Sequence, residues 1–304
     1  MSRRAWWLFL ALGVVWGIPY LLIRIAVADM PPVFVAFART LVGALLLLPL
    51  AISRGALMPA LRRWKPLLVF TFVEISASWW LLGYAETRIN SSTAGLLIAT
   101  VPVITVALLA FSGRERLDAR RALGLALGLG GVAALVGLDI DLSNGVAVCA
   151  ALLTALGYAI GPIVISRHLS DVPPIGVIAA SLALATVMYL PFVAPAWPSE
   201  FTPEATGAVL TLGVVCTALA FVLFFALIAE AGPARATVIT YINPVVALVL
   251  GVLLLDEPLT AGMAVGFALV LLGSFFATAR QADSAAHAHP GARQAERPET
   301  APPG

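Results

Sequence analysis

Charge is the scarcest commodity in this sequence. Asp, Glu, Lys and Arg make up 11% of its 304 residues, where a soluble domain carries about 25%. Lysine occurs once, as Lys65, so the remaining cations are arginines. With 61% hydrophobic side chains and a mean hydropathy of +1.00, the chain could not cover its own surface with polar groups. That excludes an ordinary soluble enzyme. A net charge of +2 leaves no basic footprint for DNA or RNA, so no nucleic-acid partner is expected. Cysteine is nearly missing: Cys149 and Cys216 both lie in apolar runs, with neither metal-ligand spacing nor a disulfide framework. Histidine is as rare. His168 falls at a helix end, and His287 and His289 form one His-x-His pair, too few ligands for a metal site. No Walker-type loop is present, so ATP hydrolysis within this chain is not expected, and no cofactor or metal is called for.

Long apolar runs fill the space that charge leaves. A membrane span needs about 20 mainly apolar residues. Ten such runs can be read, near 5–27, 33–53, 66–85, 92–112, 121–138, 144–166, 174–194, 205–228, 236–255 and 261–279. They are separated by charged or proline-rich breaks such as Asp29-Met30-Pro31-Pro32 and Asp256-Glu257-Pro258. The expected fold is therefore all-α and integral to the lipid bilayer, with ten transmembrane helices. A tail over 281–304, rich in Ala, His, Pro, Arg and Glu, is expected to be disordered. The first run is too long for the 7–15-residue core of a signal peptide, although Ser2-Arg3-Arg4 and Ala26-Val27-Ala28 mimic its flanks.

Arginine and lysine set the orientation. With the N-terminus inside, thirteen of them fall in cytoplasmic segments and only Arg88 in an outer loop. The outer loops are acidic instead, holding Asp29, Glu86, Asp139, Asp141, Glu200, Glu204, Asp256 and Glu257. Both termini are expected in the cytoplasm.

The two halves align without a gap at an offset of 142 residues. Asp29, Pro31 and Pro32 then meet Asp171, Pro173 and Pro174; Pro102 meets Pro244, Glu115 meets Glu257, Gly124 meets Gly266 and Gly131 meets Gly273. The units are a first five-helix repeat over 5–138 and a second over 147–280. Because five is odd, the second copy runs through the membrane upside down, giving two inverted five-helix repeats as in many secondary transporters.

Trp16-Gly17 in the first span, Arg39 in the second, and the stretch from Ile242-Asn243-Pro244 through Asp256-Glu257-Pro258-Leu259 to Gly266 and Gly273 resemble the EamA-like family of the drug/metabolite transporter superfamily. The resemblance covers residues 5–280. It implies a secondary transporter in the bacterial inner membrane. The work implied is export of small metabolites, such as amino acids or related compounds, through a cavity between the repeats. Two other readings share the composition: a passive facilitator of the same fold, and an intramembrane lipid-handling enzyme. The enzyme would need convergent acids, nucleophiles or metal ligands at membrane depth, which the sequence does not offer.

Charges inside a membrane are costly and therefore functional candidates. Glu74 lies near the middle of the third span and Arg39 in the outer half of the second, about 7–8 Å apart in depth. They could form an ion pair locking two helices, or a substrate or proton site. Arg24, nearer the outer surface, can snorkel. Four prolines, Pro19, Pro102, Pro162 and Pro244, are expected to kink or break helices, with Thr100 and Asn243 exposed at the repeat-matched breaks. Trp16 and its repeat partner Tyr158 are expected to line the cavity with Ser78, which shares a helical face with Glu74. The candidate substrate site is thus Trp16, Glu74, Ser78, Thr100, Tyr158 and Asn243, with Arg39 and Glu74 for coupling or pairing.

Overall fold

The computed structural model describes residues 2–112, 118–139, 144–232 and 237–287. Every regular element among them is helical. Among the described residues nine helices are long and apolar enough to cross a membrane: α1 (Arg3–Asp29), α2 (Pro32–Ser53), α3 (Trp64–Glu86), α4 (Ser91–Phe111), α5 (Ala119–Leu138), α6 (Gly145–His168), α7 (Pro174–Val193), α8 (Pro203–Ala231) and a last one over Ala261–Thr278. Between α8 and the last lies a shorter apolar segment, α9 (Ile239–Leu254). It falls short because a 3₁₀ turn over Thr237–Tyr241 opens it and Pro244 starts its regular part. The last helix, α10 (Ala261–His287), runs past the point where a tail was expected, so residues 281–287 are helical rather than disordered. Alanines there suit a helix. Residues 288–304, with His289, lie outside the described residues, as do Glu115, Asp141 and Arg235.

Large apolar side chains stay on the outside: Trp7 is 73% exposed and Phe111 87%. Hydrocarbon tails are the solvent that makes such a surface stable. Inside, α2 packs against α7, α4 against α9, and α5 against α10, while α1 meets α8 and α3 meets α6. Each contact joins one half of the chain to the other. Between lipid-immersed helices, close backbone approach replaces the hydrophobic effect as the main attraction. The α5–α10 crossing is built that way. A Cβ added to Gly124 would come within 2.7 Å of the Gly273 carbonyl oxygen, and one on Gly273 within 2.7 Å of the Gly124 oxygen. Gly131 and Gly266 stand in the same reciprocal relation at 2.9 Å. Low numbers face high ones, so these two helices run antiparallel.

The prolines divide into two groups. α1 splits at Ile18, before Pro19; α4 splits at Ala99 and Thr100, before Pro102; and α9 changes from 3₁₀ to α before Pro244. Pro162 does not break its helix, contrary to expectation: α6 runs unbroken from Gly145 to His168. Pro49 and Pro191 are likewise carried inside α2 and α7.

Two further irregularities match across the halves and left no mark in composition. α3 opens into a π turn over Thr71–Ala77, and α8 does so over Val214–Leu219. Such turns leave carbonyls without regular partners and recur at functional sites. Here hydroxyls occupy those carbonyls. Ser78 Oγ donates to Val73 O at 2.7 Å, and Thr217 Oγ1 to Leu212 O at 2.8 Å, each five residues back. From neighbouring helices Tyr189 Oη reaches Ser76 O at 2.5 Å and Thr154 Oγ1 reaches Ser78 O at 3.1 Å.

Candidate functional site

The two π turns hold the deepest charges: Glu74 lies within one, and Thr217 of the other is bonded to Arg39. Arg39 on α2 is 7% exposed. Its Nε donates to Thr217 Oγ1 at 2.9 Å, and its guanidinium carbon stands 3.7 Å from the ring centre of Trp79. This face-on contact stabilises a desolvated cation. Among the described residues the hydrogen bond of the Arg39 guanidinium is the one from Nε. Its charge reaches the phenols of Tyr158, Tyr189 and Tyr20 and the Cys216 thiol. Tyr158 sits beside Trp79 and within electrostatic reach of both Arg39 and Glu74.

Arg39 and Glu74 do not form the ion pair that was one of the two sequence expectations. Among the described residues the salt bridge is Arg63 to Asp171, at 2.6 Å on the surface. The physical reason is the π turn. It turns Glu74 toward α6, where its carboxylate lies over Gly161, while Ser78 and the Val73 carbonyl lie over Gly157. Glu74 Oε2 is buried and unpartnered. The small-xxx-small pair Gly157 and Gly161 is the space those groups occupy; a side chain at either would collide with them.

The remaining sequence candidates scatter. Ser78 is brought to the same helix face as Glu74, yet its hydroxyl serves the π turn. Trp16 is not joined to Tyr158; it packs on α8, with ring centroids 5.9 Å from Phe221 and 4.9 Å from Phe224. Thr100 turns its hydroxyl back to Leu97 O at 2.6 Å, and it is 3% exposed. The Asn243 amide, oriented by its neighbours, donates to Ile239 O at 3.1 Å and Gly13 O at 3.2 Å, tying α9 to α1. Thr100 and Asn243 therefore give their polar groups to backbone carbonyls beside the proline breaks. Arg24, expected to reach the outer surface, is half-buried and donates to the Glu86 backbone carbonyl instead.

Two acids assigned to outer loops are buried. Glu257 is 7% exposed and caps α4: its Oε1 accepts from Ser91 N at 2.8 Å and Oγ at 2.9 Å, its Oε2 from Ser92 N at 3.0 Å and Oγ at 2.5 Å. Asp256 in the left-handed region (φ 51°) and the Glu257 N–H on Gly251 O at 3.1 Å aim it there. A carboxylate at a helix N-terminus is well placed. Glu86 is 0% exposed, and neither of its oxygens is hydrogen-bonded. The sequence signal for Glu257 was its partner Glu115 in the repeat and the Ser91-Ser92 pair; Glu86, at the end of a span, gave none. Among the described residues no three His, Cys, Asp or Glu side chains gather to hold a metal.

Comparison with known proteins bears on this arrangement. The profile of the EamA-like transporter family matches residues 3–137 and again 145–279, two matches that begin 142 residues apart. The chain belongs to the EamA-like transporter family. Its relatives in the family are named as transporters. It is 26% identical over 276 residues to the uncharacterized transporter YoaV of Bacillus subtilis (strain 168), covering 88% of this chain and 94% of that one. It is 30% identical over 258 residues to the uncharacterized inner membrane transporter YedA of Escherichia coli (strain K12), covering 82% of each. A probable amino-acid metabolite efflux pump of Salmonella typhimurium is 26% identical over 293 residues, covering 90% of this chain and 95% of that one. One crystal structure of a protein with 22% identity superposes with a TM-score of 0.66, covering 92% of this chain and 99% of that one. At that identity the likeness establishes the fold alone. This EamA-like chain is a multi-pass membrane protein of a two-repeat family.

Proposed function

We propose that the chain is a secondary exporter of small metabolites bearing both a carboxylate and an amine, such as amino acids or related compounds. Two inverted five-helix repeats rock about the central polar cluster, in the bacterial inner membrane, with both termini in the cytoplasm. The observation that carries this reading is Arg39. It is a buried guanidinium with no carboxylate beside it and, among the described residues, one hydrogen bond, from Nε. An uncompensated cation at that depth is unfavourable, and an anionic ligand relieves it. Arg offers a planar fork that suits a carboxylate. Within electrostatic reach of the same Tyr158, Glu74 offers the opposite charge to an amine. Trp16, Thr100 and Asn243 then belong to the helix contacts around the site, and the breaks at Pro19, Pro102 and Pro244 to its walls.

Proteoliposomes test this with a matched panel: an α-amino acid, the corresponding amino alcohol, and the corresponding deaminated acid, each with and without an imposed pH gradient. The amino acid should move fastest, and loss of the carboxylate should hurt more than loss of the amine. Equal flux of the amino alcohol would remove Arg39 as the anchor. Flux that ignores the pH gradient would identify a facilitator.

A further inference from the structure

Glu86 has no place in the substrate site proposed above, yet it is the most thoroughly enclosed acid among the described residues. It ends α3 at the outer side, 0% exposed, between α1 and the start of α4. The charged and titratable groups that face it are Tyr20 and Arg24 from α1, Arg39 from α2, Tyr158 from α6 and Glu257 from the segment before α10. None of them pairs with its carboxylate. Arg24, the nearest cation, is committed to the Glu86 backbone carbonyl. Glu257 feels Glu86 electrostatically but is itself held by four donors at the α4 N-terminus.

We propose that Glu86 is a proton-binding site that ties closure of the outer side to protonation. Of these two neighbouring carboxyl groups Glu257 receives four hydrogen bonds and Glu86 none, so a proton on Glu86 displaces no donor. The outer side is shut around them: Ser91 is 0% exposed, Ser92 2%, Met30 2% and Ile89 5%. An ionised Glu86 in this enclosure would be a buried charge without a partner, a state that water must enter to relieve. Deprotonation breaks the carboxyl O–H bond, passes the proton to water of the outer vestibule, and leaves a carboxylate that favours the open arrangement. Reprotonation from outside lets the same groups close. On the transporter reading, this supplies a proton step on the outer face, within electrostatic reach of Arg39 in the substrate cluster.

The test needs no substrate, so it fails or succeeds independently of that reading. Leu82 is 2% exposed and lies one turn below Glu86 on the same face of α3. In a background without Cys149 and Cys216, a Leu82→Cys variant is labelled from outside with a charged, membrane-impermeant thiol reagent. The labelling rate, corrected for the reagent's own pH dependence on a surface cysteine, should rise about tenfold between about pH 5 and about pH 9. Adding Glu86→Gln should leave it low and flat. A rate that climbs equally with Gln at position 86, or that is flat with Glu, overturns the proposal. Should Glu86→Gln fail to fold, infrared difference spectra of Glu74→Gln protein across the same range decide instead. A buried carboxylic C=O band lost at high pH supports the site, and its absence overturns it.

Discussion

Spans α3 and α8 occupy matching places in the two halves, and both unwind into a π turn, over Thr71–Ala77 and Val214–Leu219. In α8 the turn presents Thr217, whose hydroxyl bridges Arg39 to the Leu212 carbonyl. In α3 it presents Glu74 and Ser78 to the glycine face of α6. Cys216 stands where Glu74 would be, and Ser181, buried with its hydroxyl unpartnered, stands where Arg39 would be. The same backbone device thus survives in both copies while the charges survive in one. A scaffold requirement is shared by both halves of a symmetric bundle; a ligand that crosses the centre meets only one set of charges and needs no duplicate. The α5–α10 crossing shows the other extreme, with the same glycine contacts repeated reciprocally.

This contrast between lopsided charge and balanced scaffold can be broken at four points, from the largest effect to the smallest. Arg39→Leu should fold yet cut flux of carboxylate-bearing substrates by about 100-fold, since a buried charge-assisted contact contributes about 3 kcal/mol. Ser181→Ala, its counterpart, should change flux by less than about twofold. Equal losses in proteoliposome assays would mean that the two halves share the site. Gly131→Ala and Gly266→Ala should each destabilise by about 1–3 kcal/mol through overpacking against a carbonyl 2.9 Å away, read as matched drops in thermal midpoint. Unequal drops would show that the crossing is not symmetric in energy.

Glu74→Gln should leave the thermal midpoint almost unchanged, because no cation is orphaned when its charge goes. Flux of amine-bearing substrates should fall about tenfold, the size of a contact of about 1.4 kcal/mol. A large drop in stability would instead reveal a charge partner for Glu74. The smallest effect belongs to the surface clasps that the repeat places on opposite sides. Asp29 accepts from Thr202 Oγ1 at 2.6 Å, and its repeat partner Asp171 accepts from Arg63 at 2.6 Å. With the Arg63 and Asp171 side chains 53% and 58% exposed, Arg63→Ala should cost about 0–1 kcal/mol in chemical denaturation. Thr202→Ala should cost no more.

Much of the architecture was legible because it follows from solvent. Runs of about 20 apolar residues can only be helices in hydrocarbon, where every backbone group must be satisfied locally. The repeat was legible because prolines and glycines, tied to backbone geometry, keep their spacing. Pro162 does not end its helix, because the packed turns on either side carry it, as they do Pro49 and Pro191. Arg39 and Glu74 stood out by depth, but their relation did not. Sequence spacing on an ideal helix assumes 3.6 residues per turn, and a π turn rotates everything beyond it.

What the sequence alone determined, then, is the class of molecule: a helical membrane protein in two related halves, with Arg39 and Glu74 as the charges that burial could least tolerate. Those conclusions rest on composition and period, which any folded state must respect. Only the tertiary structure decided which polar groups are spent on the backbone and which remain available. Thr100, Ser78 and Asn243 look like lining residues in one dimension, yet each gives its polar group to a backbone carbonyl beside a helix break or a widened turn. Glu257 and Glu86 look like loop acids, yet the turn at Asp256 drives one onto a helix end, and helix packing encloses the other without a partner. The reason is the same for all of them. In a medium without water, a polar atom's role is fixed by the nearest complementary atom, and that atom is supplied by a helix distant in sequence.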